Sequence, residues 1–172
     1  MELGTYQRID GRPSVRFERV YAHPISDLWS AVTVPDRLAQ WFPSKVEHEA
    51  RVGGAIRFSS DANVPDSMGQ VLEFDPPRLF AFSWGPNQLR FELGEAEDGR
   101  TRFVLIDFLA AENEAARNAA GWEQCLEALD SVLDPTPASG ANEQARSEAP
   151  SWRERYDRYI AAGLPSGAPF PE

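Results

Sequence analysis

The sequence predicts an α+β fold: a curved antiparallel sheet of about six to seven short strands wrapped around one long C-terminal helix, with two short helices after the first strand. Three observations predict it. The apolar positions Ala115, Ala119, Trp122, Leu126, Leu129 and Leu133 recur at spacings of four, three, four, three and four, which lays one apolar stripe along a helix. Short apolar runs precede that helix, separated by turn residues such as Gly53-Gly54, Asp75-Pro76-Pro77-Arg78, Gly85-Pro86 and Glu97-Asp98-Gly99. Between the first run and the second, proline opens two segments of helical spacing: Ile25, Leu28, Trp29 and Val32 after Pro24, then Leu38 and Trp41 after Pro35.

Taken in order, Val15 to Tyr21 reads as the first strand and Pro43 ends the second short helix. Strands are then expected at Lys45 to Arg51, Ala55 to Ser60, Met68 to Phe74 and Leu79 to Trp84. Leu89, Phe91 and Leu93 alternate with Arg90 and Glu92, so this strand shows one face to water. Arg102 to Leu109 is apolar on both faces, as a central strand beneath a helix should be. The long helix spans Asn113 to Leu133 and stops at Asp134-Pro135. The expected organisation is a domain over 1–134, a polar linker over 135–150, an amphipathic helix over 151–163 and a tail over 164–172. Ser151 and Glu154 form a capping box for the last helix, and its face Trp152, Tyr156, Tyr159 and Ile160 is expected to fold back on the domain.

Within the long helix, Gly121 is costly, about 1 kcal/mol relative to alanine. The expectation is a close backbone approach, or a need for space, beside Trp122, and so a protein built around a cavity.

The 172 residues suffice for one substantial core. Lys and Arg number 17 against 27 Asp and Glu, and a net charge of −10 disfavours nucleic acid and anionic membranes as partners. A single cysteine, Cys125, rules out an intramolecular disulfide. No apolar run reaches the roughly 20 residues that span a bilayer, and the N-terminus lacks a signal-peptide pattern. A cytoplasmic monomer or homodimer is expected.

Arg16-Phe17-Glu18-Arg19, Pro24 with Leu28-Trp29, and Pro35 to Trp41-Phe42-Pro43 come first in a series. Gly53-Gly54, Gly69 to Phe74, Asp75 to Arg78, Trp84, Gly99 to Thr101 and Gly121-Trp122 follow. In this joint order, over roughly residues 12–133, the chain resembles the SRPBCC superfamily, the START and Bet v 1-like helix-grip proteins. The branch it looks most like is the bacterial one related to the activator of heat-shock protein 90 ATPase, C-terminal domain. The resemblance implies a helix-grip fold with a cavity between sheet and helix that holds small hydrophobic molecules. It implies no shared catalytic residues. Relatives often carry a His in the last strand, where this chain has Ile106-Asp107-Phe108.

Asp107 shares its strand parity with Phe103 and Leu105, which should face the helix. A carboxylate there would have a raised pKa and could anchor a ligand or move a proton. Near a strand end it could equally be solvated. Glu73 and Arg90 are expected on the outer face. His23 should serve the helix start, and His48, in Glu47-His48-Glu49, a solvated face; no metal site is expected, and no cofactor. Cys125 adjoins the apolar stripe and reads as a small core hydrophobe.

The expected function is binding of a small apolar or amphipathic molecule. Phe58, Trp84, Phe91, Phe103, Leu105, Trp122 and Leu126 would be walls and Asp107 the polar anchor. The alternatives are a cyclase- or hydrolase-like enzyme using Asp107 as acid or base, and a co-chaperone-like interaction module.

Overall fold

The structure, a computed structural model, describes residues 2–61, 65–135 and 149–170. An N-terminal hairpin of β1 (Thr5–Ile9) and β2 (Arg12–Tyr21) leads into α1 (Ile25–Thr33) and α2 (Pro35–Leu38). Then come β3 (Lys45–His48), β4 (Ala55–Ser59), β5 (Ser67–Asp75), β6 (Leu79–Trp84), β7 (Asn87–Glu95) and β8 (Thr101–Phe108). The long helix α3 is Ala115–Leu133 and the last helix α4 is Trp152–Ala161.

The described strands form one antiparallel sheet in the order β1-β2-β8-β7-β6-β5-β4-β3. This makes eight strands rather than about six to seven. The addition is β1, whose Thr-Tyr-Gln-Arg-Ile sequence is too polar to signal a strand; it is an edge strand paired only with β2. The expected order of strand, two helices, strands and long helix otherwise holds.

β8 lies between β2 and β7, with Leu105 opposite Phe17 on one side and Phe91 on the other. Phe103, Leu105 and Asp107 face α3. Val104 and Ile106 point the other way and are buried too. Long side chains flank them in register, Glu18 and Glu92 beside Val104, Arg16 and Arg90 beside Ile106.

A bulge in β5 between Val71 and Glu73 decides a second orientation. Val71 pairs with Phe82 and faces inward, yet Glu73, two residues on, pairs with outward-facing Ala81. Glu73 therefore bonds Arg90 on the outer face, where Arg90 also donates to Glu92 at 2.7 Å.

The capping box at Ser151 forms as expected: the Glu154 N–H donates to Ser151 Oγ at 3.2 Å and the Ser151 N–H to Glu154 Oε2 at 2.7 Å. The inner face of α4 carries Trp152, Tyr156 and Tyr159 as expected, but differs from the expectation at Ile160 and Arg155. Ile160 is exposed, while Arg155 joins Tyr156 and Tyr159 among the buried residues. Arg155 is drawn in by Glu123 and Glu127 of α3, a pairing across long sequence separation that apolar periodicity cannot show. The expected linker lies mostly outside the described residues.

At Gly121 the first of the two expected alternatives, a close approach, is absent. A Cβ placed on it would meet nothing within 4 Å, so no backbone or side chain approaches closely there. Close approaches occur instead at Gly4, beneath the Phe17 ring, at Gly54, whose Cβ would lie 2.5 Å from the Glu49 carbonyl oxygen, and at Gly69, whose Cβ would lie 2.5 Å from the Ser83 carbonyl oxygen.

Candidate functional site

Asp107 lies at the C-terminal end of β8, 0% exposed, against the N-terminal half of α3. Three N–H groups converge on it. Asn87 Nδ2 donates to Oδ1 at 3.2 Å, and Asn118 Nδ2 and Trp122 Nε1 each donate to Oδ2 at 3.0 Å. Asn118 and Trp122 are one helical turn apart on α3, so one face presents both donors. Asn87 opens β7, next to β8 in the sheet.

Both amides are oriented by their far ends. Asn87 Oδ1 accepts the Ala110 N–H at 2.9 Å, and Asn118 Oδ1 accepts Arg117 Nε at 3.0 Å, so each Nδ2 must face Asp107. Arg117 also faces Glu114 at 3.6 Å, and Glu114 accepts from Asn87 Nδ2 at 3.4 Å. The contacts close into a ring: Asp107, Asn87, Glu114, Arg117, Asn118 and back. Burial pushes the Asp107 carboxyl up to about 6, while the Trp122, Asn118 and Asn87 donors pull it back toward the ionised form. An ionised carboxylate has about four acceptor positions, and three donors leave one for a further group.

Trp122 connects this polar ring to an aromatic cluster. Its ring lies 5.4 Å from Trp84 and 5.6 Å from Phe42, and Phe42 lies 5.4 Å from Trp84. Phe58 joins at 6.2 Å from Phe42 and 6.4 Å from Trp84. Trp84 is only partly buried, so the cluster reaches the surface there.

Of the residues expected to form walls, the structure therefore gathers Trp84, Trp122 and Phe58 with Asp107. Phe91 and Phe103 pack on each other at 5.6 Å deeper in the sheet, where Phe91 meets Trp41 at 5.7 Å. Leu105 and Leu126 are fully buried in the same core. Phe42, the ring common to most of these contacts, was not among the expected walls. Asn87, Asn118, Glu114 and Arg117 were not expected at the site either, because polar residues at a turn and beside a helix stripe look like solvated ones. The rings occupy the sheet–helix interface by touching each other. Grooves of about 510 Å³ beside Tyr21 and Asp130, and about 280 Å³ over Leu72 and Ala81, lie away from this cluster.

The remaining candidates separate. His48 does not sit on a solvated face. It shares the parity of buried Val46, packs 5.0 Å from the Phe80 ring and donates through Nε2 to the Thr33 carbonyl at 2.7 Å. His23 sits at the start of α1 between Asp27 at 3.3 Å and Asp134 at 3.0 Å, so it ties that start to the end of α3. Burial pushes the Cys125 thiol up to about 12, which leaves it inert as a nucleophile near neutral pH. Among the described residues, no three His, Cys, Asp or Glu side chains are grouped to hold a metal ion. No helix among them is long and apolar enough to cross a membrane.

Comparison with known proteins places the fold. Over 92% of its length the chain superposes on CalU16 from Micromonospora echinospora, covering 94% of that chain at 25% identity with a TM-score of 0.68. A conserved protein of unknown function, EF2215 from Enterococcus faecalis, matches over 92% of this chain and 89% of its own, at 20% identity and a TM-score of 0.73. DynU16, from the dynemicin biosynthetic locus, matches over 71% of this chain and 47% of its own, at 24% identity and a TM-score of 0.61. In all, 192 solved chains match, so the fold by itself selects no function. No curated protein sequence matches the chain. The family model described as Activator of Hsp90 ATPase homolog 1-like protein matches residues 22–134, which leaves out the β1–β2 hairpin and takes in the full length of α3. The chain belongs to the Activator of Hsp90 ATPase homolog 1-like family.

Proposed function

We propose that the protein binds a small hydrophobic or amphipathic molecule at the end of the sheet–helix interface where Trp84, Phe42, Phe58 and Trp122 meet Asp107. The observation that carries this reading is the double role of Trp122. Its ring belongs to the aromatic wall and its N–H to the buried acceptor, so apolar surface and a polar anchor adjoin within one side chain. Phe91, Phe103, Leu105 and Leu126 back this wall from the core. A ligand bearing one hydroxyl or amine donor would use the acceptor position that Asp107 has left, while its apolar body displaces or stacks on Trp84. Burying that body contributes roughly 25 cal/mol per Å² before the entropic costs of binding. The single, half-buried free Cys125 suits a reducing compartment, and we place the protein in the cytoplasm.

The test is fluorescence titration with the neutral apolar dye N-phenyl-1-naphthylamine, backed by native mass spectrometry with a panel of lipophiles. Saturable one-to-one binding that weakens in Trp84→Ala supports the reading. No binding by either method, or binding indifferent to Trp84→Ala, removes it.

A second reading draws on the position of the Asp107 carboxyl near the neutral range. A group poised there can give and take a proton, so the same site would serve a cyclase- or hydrolase-like reaction. In that case Asp107→Asn abolishes turnover of a ligand that native mass spectrometry still shows bound. Equal turnover in the variant would dispose of it.

A further inference from the structure

α4 and the residues after it hold α3 in two parts of different strength. The first part is an anchor. Arg155, 1% exposed, donates to Glu123 Oε1 at 2.9 Å and to both oxygens of Glu127 at 2.8 and 2.7 Å. Arg158 closes on the same Glu123 oxygen at 2.6 Å. Breaking such a buried pair leaves an uncompensated charge and is strongly resisted.

The second part is the tail over 164–170. Ser166, Gly167, Pro169 and Phe170 are exposed, and Ala168 is buried. The Leu164 N–H donates back to the Tyr159 carbonyl of α4 at 3.1 Å. Beyond it, the tail's hydrogen bonds among the described residues land at the start of α3 and the turn just before it. The Pro165 carbonyl accepts the Ala116 N–H at 2.9 Å, the Ala168 N–H donates to the Asn113 carbonyl at 3.3 Å, and the Pro169 carbonyl accepts from Arg117 Nη1 at 2.8 Å. Phe170 packs edge-on against Trp152 and Tyr156 at 5.2 Å each. α3 has no side-chain cap of its own, so the tail supplies a partner that the first turn otherwise lacks.

Arg117 carries this contact inward. The guanidinium that reaches Pro169 also holds Asn118 Oδ1 at 3.0 Å and faces Glu114 at 3.6 Å. Asn118 is thereby turned toward Asp107, and Glu114 toward Asn87. A continuous chain of polar contacts runs from an exposed tail to a fully buried carboxylate.

We infer that the tail is a strap holding the Asp107 cluster closed, and that its release, with α4 still anchored, frees Arg117, Asn118 and the first turn of α3 to open a path to Asp107. Few and shallow contacts place the strap at the low end of the molecule's range of opening free energies, and the Arg155 anchor at the high end. Admission of a ligand through that path rests on the binding reading above. The opening itself does not.

The test is hydrogen exchange of the tryptophan indole protons, followed by NMR on the full chain without ligand, in wild type, Arg117→Met and Phe170→Ala. Arg117→Met removes the strap's bond and the Asn118 contact together, whereas Phe170→Ala loosens the strap only where it packs on Trp152 and Tyr156, far from Asp107, and is the discriminating variant. The Trp122 indole proton, which bonds Asp107, should exchange about tenfold faster in each variant, while that of Trp41, held by the Ala31 carbonyl at 2.9 Å, keeps its rate. Unchanged exchange at Trp122 in Phe170→Ala overturns the strap. Equal acceleration at Trp122 and Trp41 means general loosening and overturns it as well. Because the exchange is read without ligand, these outcomes stand whether or not the binding reading does.

Discussion

The Trp122 indole donates to Asp107 Oδ2 at 3.0 Å and so fastens the middle of α3 to the end of β8. Without that bond the carboxylate would rely on two amides, and Trp122 would be one aromatic ring among several. With it, the apolar wall and the polar ring around Asp107 form one unit, and the predictions below follow from that unit and from the helix that carries it.

Stability should depend on pH through Asp107 with a sign opposite to that of most carboxylates. Its ordinary value is 3.8 and burial pushes it up to about 6 in the folded protein. Between those values the folded state holds a proton that the unfolded chain has released. The contribution is therefore fully present below about pH 4 and is lost as the pH rises through about 6. A shift of this size corresponds to about 3 kcal/mol. Urea unfolding of wild type and Asp107→Asn across this range isolates the group, and the stability of wild type relative to the variant should fall as the pH rises. A flat difference would contradict the burial argument.

Two glycines should respond in opposite directions. Gly121→Ala adds a Cβ into open space within a helix and should stabilise by about 0.5–1 kcal/mol. Gly69→Ala drives a Cβ to 2.5 Å from the Ser83 carbonyl oxygen inside the sheet and should destabilise by about 1–3 kcal/mol. Chemical denaturation of the pair checks both signs at once.

Arg155→Met should cost about 1–3 kcal/mol, because Glu123, 2% exposed, then keeps only the outer Arg158 guanidinium, at 2.6 Å, as its charged partner. Adding Glu123→Leu should recover most of that loss, since both buried charges of the pair are then absent. A double-mutant cycle by thermal unfolding measures the coupling; additive losses would show that the pair acts as two independent surface charges.

The parity of β8 is enough to place Asp107 with Phe103 and Leu105 beneath the helix, and the stripe from Ala115 to Leu133 is enough to place Trp122. Both are local periodicities, and both give the right face. The partners of Asp107 are not local. Asn87 precedes the alternation of β7 and has the look of a turn residue, and Asn118 lies between stripe positions like any solvated polar residue. Only the β7–β8 pairing and the packing of α3 bring them together. Arg155 is hidden for the same reason, because its partners lie on another helix. His48 could have been read correctly, since it shares parity with Val46, but the flanking Glu47 and Glu49 dominate the impression of a charged strand. Gly121 shows the converse limit: composition reveals its cost to the helix, and only the surrounding atoms reveal that nothing presses on it.

The central claim is that ligands engage the Trp84–Trp122–Asp107 end of the interface. The five tryptophans place indole N–H reporters across the molecule, so the most direct measurement is a titration with N-phenyl-1-naphthylamine followed by ¹⁵N–¹H NMR of those indole signals. The signals of Trp84 and Trp122 should shift in a saturable way while those of Trp29, Trp41 and Trp152 stay in place. Shifts confined to Trp152, or no shift at Trp122 at saturating dye, would contradict the account.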